Sequence, residues 1–116
     1  MKQTDAFRVL ASADRQLVLH ELLERDGSAN VDELSRQVAA RRHRIEPDRI
    51  DDEKVEAAHL RLVHHHLPQL SERDLLEFDW EERKVSLADD ESVDEVFEAA
   101  EVLDSWPPTD LLYRPS

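Results

Sequence analysis

The sequence contains no cysteine and a single glycine, Gly27. Without cysteine, neither a disulfide framework nor a thiolate metal site can form, which fits a reducing cytoplasm. No apolar run approaches the roughly 20 residues that a membrane-spanning helix needs, and the first residues, "MKQTDAF", lack the apolar region of a signal peptide. We therefore predict a cytoplasmic protein with no membrane segment.

The chain is also poor in lysine, with three lysines beside 12 arginines, while 28 acidic residues set a formal net charge of −13. Because 40% of the 116 residues are hydrophobic, the composition is typical of one folded domain and not of a disordered acidic tail. Surplus surface carboxylate is typical of halophilic proteins, since a Debye length of about 3 Å at 1 M salt screens the repulsion. We expect a high-salt cytoplasm; the alternative is an ordinary acidic protein.

Helical periodicity predicts two helices early in the chain. Residues 6–25 are predicted to be helical, with Ser12 as the N-cap of the main helix and Gly27 as its left-handed C′ residue. Asn30 is the predicted N-cap of a second helix, and Glu33 stands at the N3 position of a capping box. A short turn therefore separates the two helices.

The second half of the chain predicts a third helix, a hairpin and a last helix. The third helix follows a loop at 43–51 and covers residues 51–70, with a kink or an end at Pro68. The alternating segment "LLEFDWEERKVSLADD" predicts two strands joined by a polar turn. Ser92 is the predicted N-cap of an amphipathic helix over 92–106.

The order helix, helix, loop, helix, hairpin is that of a winged helix-turn-helix, with the third helix as the recognition helix and the hairpin as the wing. The predicted fold class is α+β, mostly α, with an additional C-terminal amphipathic helix. We expect a winged-helix domain at 6–90, a C-terminal helix at 91–106 for packing or dimerisation, and a tail at 107–116.

Three segments carry a resemblance to one family: "LASADRQLVLHELLERDG", "VDELSRQVA" and "VHHHLPQLSERDLLEFD". They resemble an uncharacterised haloarchaeal winged-helix domain family, whose "xHHxHLPxL" segment is matched here by His64, His66, Leu67, Pro68 and Leu70. Asp74 stands where many relatives carry glycine, a position in which Asp tolerates a left-handed backbone. The resemblance covers roughly residues 6–90 and implies a winged-helix fold and, by analogy of fold alone, a regulator.

A basic segment interrupts the acidic chain between residues 36 and 49. Its only acids are Glu46 and Asp48, so its local charge is +3. Its five arginines are Arg36, Arg41, Arg42, Arg44 and Arg49. In a winged helix this region lies near a phosphate backbone, and arginine suits bidentate phosphate contacts. We predict phosphate contacts by these arginines, with Arg83 and Lys84 on the wing as secondary contacts. The alternative is a solvated loop whose arginines pair with the acids at 51–53.

The recognition helix offers few groups that can read bases. The candidates for base contacts are Lys54, His59 and Arg61. The half of the helix that enters the major groove also carries three carboxylates, which repel phosphate: Asp52, Glu53 and Glu56. This acidic half is the main evidence against DNA binding.

The clustered histidines do not predict a metal site. His59 has no second ligand at i+3 or i+4, and His66 falls on the apolar face, where a hydrogen-bonded core residue is expected. No nucleophile elbow and no glycine-rich phosphate loop is present, so we predict no enzyme activity, no cofactor and no metal.

The last helix carries a separate apolar stripe, which we predict to contact a second copy of the chain: Val96, Phe97, Ala100, Leu103 and Trp106. The alternative is that this helix packs back onto the first.

The overall prediction is a transcriptional regulator that binds double-stranded DNA, as a possible homodimer. The alternative is a protein–protein interaction module that kept the winged-helix fold and lost DNA binding. Basic groups sharing one face would favour DNA, and acids among them would favour a protein partner.

Overall fold

The computed structural model describes residues 3–104 and 106–108. These residues form a mostly helical α+β structure with a small three-stranded antiparallel sheet. In chain order the elements are α1 (Gln3–Leu10), α2 (Ala13–Glu24), β1 (Ser28–Asn30), α3 (Val31–His43), α4 (Asp52–Arg61), a π-helical turn (Leu62–His66), α5 (Leu67–Glu72), β2 (Leu76–Asp79), β3 (Lys84–Leu87) and α6 (Glu91–Ala100).

Ser12 caps α2 as predicted, because its side-chain oxygen accepts a hydrogen bond from the Arg15 amide at 3.3 Å. The same residue ends the preceding helix, since its backbone is extended, with φ −103° and ψ 129°. The prediction of one helix over 6–25 is therefore wrong at residues 11–12, where the chain turns between α1 and α2. A capping residue inside a helical pattern marks a break between two helices.

The turn after α2 needs two left-handed residues. Arg25 is the C-cap, so Asp26 (φ 59°) is the C′ residue and Gly27 (φ 96°) follows it, one position later than predicted. The Gly27 amide donates to the Leu22 carbonyl at 2.7 Å, which satisfies an open carbonyl of the helix end. The positive φ predicted at Gly27 is confirmed.

Asn30 caps α3 as predicted, because its Oδ1 accepts from the amides of Asp32 (2.8 Å) and Glu33 (3.4 Å). The capping box is wrong in its second half. The Glu33 carboxylate accepts from Arg25 and Gln37 and does not return to the backbone of Asn30. The opposite charge of Arg25 is the stronger attraction for this carboxylate.

The helical run from α4 continues through the π-helical turn into α5 and ends at Glu72, so the helix end predicted at Pro68 is wrong, while the alternative kink stays a prediction. In the π-helical turn the Leu67 amide bonds to the Leu62 carbonyl, five residues back. Pro68 then stands in the first turn of α5, where a missing backbone N–H leaves no bond unmade. The wide turn therefore accommodates the proline without ending the helix.

The hairpin of β2 and β3 is confirmed, and Asp74 has the left-handed φ of 60° expected for it. The sequence did not predict β1, which pairs with β3 and sets the sheet order β1-β3-β2. β1 has only three residues, too few for alternation to be visible. Val85 is fully buried at the centre of the sheet, opposite Ala29 and Phe78.

α6 begins after Asp90, whose carboxylate accepts from the Ser92 amide at 2.9 Å, so Ser92 is not the cap that we predicted. The helix ends at Ala100, before the predicted limit of residue 106. α6 packs against α1, and the elements enclose one main hydrophobic core. This arrangement is compatible with a winged-helix-like layout. Among the described residues, no helix is long and apolar enough to cross a bilayer.

Candidate functional site

Arg41, at the end of α3, points into the protein and not toward a ligand. It is only 5% exposed, and its guanidinium lies 3.3 Å from Glu21 Oε1 and 3.2 Å from His20 Nδ1. Burial and the neighbouring Arg41 charge lower the pKa of His20, which favours the neutral imidazole. Neutral His20 accepts from Arg41 through Nδ1, and its Nε2 lies 3.2 Å from Glu24 Oε1. Burial and these internal partners leave Arg41 little surface for a ligand, and the phosphate contact predicted for it stays a prediction.

Asp14, at the start of α2, collects three cationic or polar partners. Its side chain is 4% exposed and accepts from Arg42 Nη1 at 2.7 Å and Arg61 Nε at 3.1 Å, with His66 Nε2 at 3.4 Å. Burial alone would raise the pKa of Asp14, but hydrogen bonds from His66, Arg42 and Arg61 hold that pKa well below its usual range. Asp14 is therefore a buried anion that joins α2 to α3, to the end of α4 and to the π-helical turn.

The π-helical turn brings Arg61 and His66 onto the same carboxylate. In a regular α-helix, residues five apart differ by about 140° in direction, because each residue adds about 100°. The i to i+5 pattern of a π turn narrows that difference. Both side chains reach Oδ2 of Asp14, and His66 is the hydrogen-bonded core residue that the sequence predicted.

The other arginines of the basic segment are divided between structural and open positions. Arg36 donates to the Pro47 carbonyl at 3.0 Å and lies 3.7 Å from Asp52 Oδ1. Arg44 and Arg49 are exposed, and their side chains have no hydrogen bond or ion pair among the described residues. Arg44 ends α3 in a left-handed conformation. Of the five arginines, only these two are fully available to a phosphate backbone.

The wing turn is fastened to the start of α3. Arg83 bonds both carboxylate oxygens of Asp32, at 2.8 and 3.2 Å, and its Nη2 lies 3.2 Å from His59 Nε2. The hydrogen bonds from Arg83 lower the pKa of Asp32. Arg83, a predicted phosphate contact, thus neutralises a carboxylate of the same chain, and His59 Nε2 lies 3.7 Å from the same carboxylate. Lys84 is exposed and has no side-chain partner among the described residues.

The remaining cations of α4 are engaged as well. Lys54 Nζ bonds to Asp51 Oδ2 at 3.0 Å, and the Lys54 amide bonds to Asp51 Oδ1, which lowers the pKa of Asp51. Arg61 is held by Asp14. Of the three predicted base contacts, Lys54 and Arg61 are therefore each bound to an acid of the chain, and His59 Nε2 lies 3.7 Å from Asp32 Oδ1.

The solvent side of α4 carries acids and apolar groups. We call it the outward face, and it consists of the exposed residues Asp52, Glu53, Glu56, Ala57 and Leu60. Ala58 is buried on the opposite side, and Val55 is half-buried there against a small cluster with Ala39, Ala40 and Ile50. No lysine or arginine stands on the outward face.

A groove of about 600 Å³ lies beside the outward face, between α3 and α4. Its walls carry four carboxylates, Arg36 and His59; the carboxylates are Asp32, Glu33, Asp52 and Glu56. Within the described part of the chain, no group of three or more His, Asp or Glu side chains converges closely enough to hold a metal ion. The carboxylates are thus spread along the surface and do not form a cation cage.

The residues predicted for dimer contacts belong largely to the protein's own core. Val96 and Ala100 are 0% exposed and pack where α6 meets α1. Phe97, Leu103 and Trp106 pack partly buried against the same core, and the Trp106 ring stands edge-on to His20 at 5.5 Å. These side chains therefore pack as the alternative prediction states, with the last helix lying against the first helix of the same chain. The tail beyond residue 108 lies outside the described residues, and the dimer stays a prediction.

Sequence reasoning missed Asp14 as the centre of an ion cluster. The local pattern shows only that Asp14 stands in the first turn of α2, where an acid favours the helix dipole. Its partners are 28, 47 and 52 positions away in the sequence, so no local spacing links them. The arginine surplus at 36–49 was the one feature of the sequence that pointed to an anion. We interpreted it as a contact with external DNA, but one of these arginines, Arg42, binds the carboxylate of Asp14 inside the protein.

The family of this chain follows from a comparison with family models. The model of DUF7344, a domain of unknown function, matches residues 7–86. Comparisons with curated proteins and with solved structures found no match. The matched range includes the Asp14 cluster, the groove and the outward face, and it ends within β3 before α6 begins. The chain belongs to the DUF7344 family.

Proposed function

We propose that this chain is a protein–protein interaction module on a winged-helix scaffold. On this proposal α4, which occupies the place of the recognition helix, does not contact DNA. Two features support the winged-helix assignment: the sheet order β1-β3-β2, and the position of α3 and α4 between β1 and the hairpin. We propose a binding role and no catalysis. The cytoplasmic location and the high-salt setting stay predictions from composition.

The observation that carries the proposal is the state of the charges on α4. In a winged helix this element faces the major groove, and its outward side chains must meet bases and phosphates. Here the outward face presents Asp52, Glu53 and Glu56, while Lys54 and Arg61 are bound to acids of the chain. Carboxylates at this position repel the phosphate backbone, which supplies most of the affinity in DNA binding.

DNA binding keeps one argument, since three of the predicted phosphate contacts are exposed cations without a partner among the described residues: Arg44, Arg49 and Lys84. Three phosphate contacts release few counterions, so they contribute little at high salt. The geometry therefore favours the protein partner over the DNA regulator that the sequence first suggested.

Fluorescence anisotropy with labelled duplex DNA tests the proposal. At about 0.15 M KCl, non-specific DNA-binding proteins bind with Kd values of about 1–100 µM, and we expect no binding by the wild-type chain in that range. The charge-reversed variant Glu53→Lys/Glu56→Lys should gain DNA binding that weakens as salt rises. Its matched control, Asp94→Lys/Glu98→Lys on α6, changes the net charge equally and should gain less.

Two results would contradict the proposal. One is salt-sensitive binding by the wild-type chain that is lost in Arg44→Ala/Arg49→Ala, which would make these arginines a phosphate clamp. The other is an equal gain in the two charge-reversed variants, because net charge alone would then explain the gain. Far-UV circular dichroism of each variant verifies that it is folded.

A further inference from the structure

We propose that the outward face of α4 docks a basic amphipathic segment of a partner protein, with lysine or arginine flanking an apolar side chain. The inference rests on the proposed function and names the surface and the chemistry of the partner. It comes from an unpartnered helix face whose charge and apolar groups select one kind of occupant.

The face has the pattern of a docking stripe. Glu53, Ala57 and Leu60 recur at spacings of four and three residues, so they lie in line along the helix. Leu60 is 50% exposed, and within the described part of the chain it is one of four exposed large hydrophobic side chains. Ala57 beside it leaves room for an incoming side chain. The stripe therefore joins an acidic half to an apolar half.

The carboxylates of this face exceed what the helix itself requires. Asp52 and Glu53 stand in the first turn, where acids also favour the helix dipole. Glu56 stands beyond that turn, and neither Glu53 nor Glu56 has a hydrogen bond or ion pair among the described residues. These two charges are fully available for an external cation.

Charge complementarity decides between the occupants. A second copy on a twofold axis would place this face against itself, so its carboxylates would meet carboxylates. Nucleic acid and anionic lipid are repelled for the same reason. A single metal ion needs converging ligands, and the described residues offer no such group. A peptide with cations spread along its length fits both the charge and its distribution.

The groove between α3 and α4 extends the surface on one side. Its volume of about 600 Å³ is enough for a few side chains of a peptide. Asp52 and Glu56 belong to both the groove and the outward face, so a segment lying along α4 can place a cationic side chain over the groove edge. Arg83, bound to Asp32, stands beside the groove and is not available to compete for Glu56.

Binding of synthetic peptides to the full chain tests the proposal. The probe is a fluorescein-labelled helical peptide of about 15 residues with leucines on one face and lysines at its flanks. One comparison peptide has glutamate in place of lysine, and another keeps the lysines and replaces the leucines by serine. We expect the Leu/Lys peptide to bind at least tenfold more tightly than either, and its binding to weaken as salt rises.

Variants of the chain locate the site. Glu53→Lys/Glu56→Lys should lower the affinity for the Leu/Lys peptide at least tenfold, while Asp94→Lys/Glu98→Lys should change it far less. Leu60→Ala, which removes an apolar group already half in water, should lower the affinity about fivefold with the net charge unchanged. Because Leu60 is not a core residue, this variant tests the site even if the charge reversal fails to fold.

Each result has a definite meaning. Binding of the Leu/Lys peptide that depends on both Glu53/Glu56 and Leu60 supports the proposal. Equal losses in the two charge-reversed variants would show attraction by net charge only and would overturn it. Absence of binding would overturn the basic partner, and the proposed function would still stand if cross-linking at Ala57 captures a protein.

Discussion

Replacing Asp14 by asparagine should destabilise the protein strongly, because Asp14 is the buried anion on which three elements converge. Asparagine keeps the shape but loses the charge, and its amide nitrogen faces donors. Arg42 and Arg61 then lose charge-assisted hydrogen bonds of 2.7 and 3.1 Å. The unpaired arginines remain near the surface, so they regain part of their hydration.

The magnitude follows from the number of bonds and the exposure of the partners. A hydrogen bond to a charged group contributes roughly 1.5–3 kcal/mol. The side chains of Arg42 and Arg61 are 47% and 37% exposed, so we take about half of that value for each bond. For the two bonds together, the free energy of unfolding should therefore fall by roughly 1.5–3 kcal/mol, which lowers Tm by about 5–15 °C in a domain of this size.

Thermal unfolding followed by far-UV circular dichroism measures the effect at about pH 7. The matched control is Asp48→Asn, which removes the same charge from an exposed loop position without a hydrogen bond among the described residues. We expect its Tm to stay within about 2 °C of wild type. Equal shifts in the two variants would refute the role of Asp14, because the loss would then come from net charge.

The remaining predictions concern pH and local structure. The pKa of Asp14 is lowered in the folded state, so the carboxylate contributes fully to the free energy of unfolding above the unfolded pKa of about 3.9. This contribution is lost as pH falls toward the folded pKa. The Tm difference between wild type and Asp14→Asn should therefore shrink below about pH 4. Gly27→Ala should cost about 1–2 kcal/mol from backbone strain at φ 96°, since no atom lies within 4 Å of the added Cβ. Asn30→Ala should lower stability by about 1 kcal/mol, because two amides lose their acceptor. Leu34→Ala should cost about 2–5 kcal/mol at a fully buried position, while Leu23→Ala, half exposed, should cost far less; urea unfolding measures all four.

Local signals predicted the elements of this fold well. Ser12 and Asn30 cap helices because their side chains reach amides two or three residues away, an interaction fully contained in the sequence. Asp74 takes a left-handed turn for an equally local reason. The three-residue strand β1 could not be predicted, since it exists only through its pairing with β3.

The site was predicted less well, because charge pairing is a property of the folded chain. The sequence shows how many arginines stand at 36–49 but not which acids they meet. Arg41 is drawn inside by Glu21 and His20, and Arg42 by Asp14, from distant parts of the chain. The acidic half of α4, by contrast, was visible in the sequence as the acidic half of the predicted recognition helix. The proposed function rests on this feature.

Photo-cross-linking in cells that produce the protein distinguishes a protein partner from DNA at the outward face of α4. A benzophenone amino acid at Ala57 probes the outward face of α4, and the same group at Asp94 on α6 is the control. We expect a protein adduct from position 57 and none from position 94. The adduct from position 57 should also be absent from a variant that carries both the benzophenone amino acid at position 57 and Glu53→Lys/Glu56→Lys. An adduct with DNA from position 57, or equal protein adducts from both positions, would contradict the account.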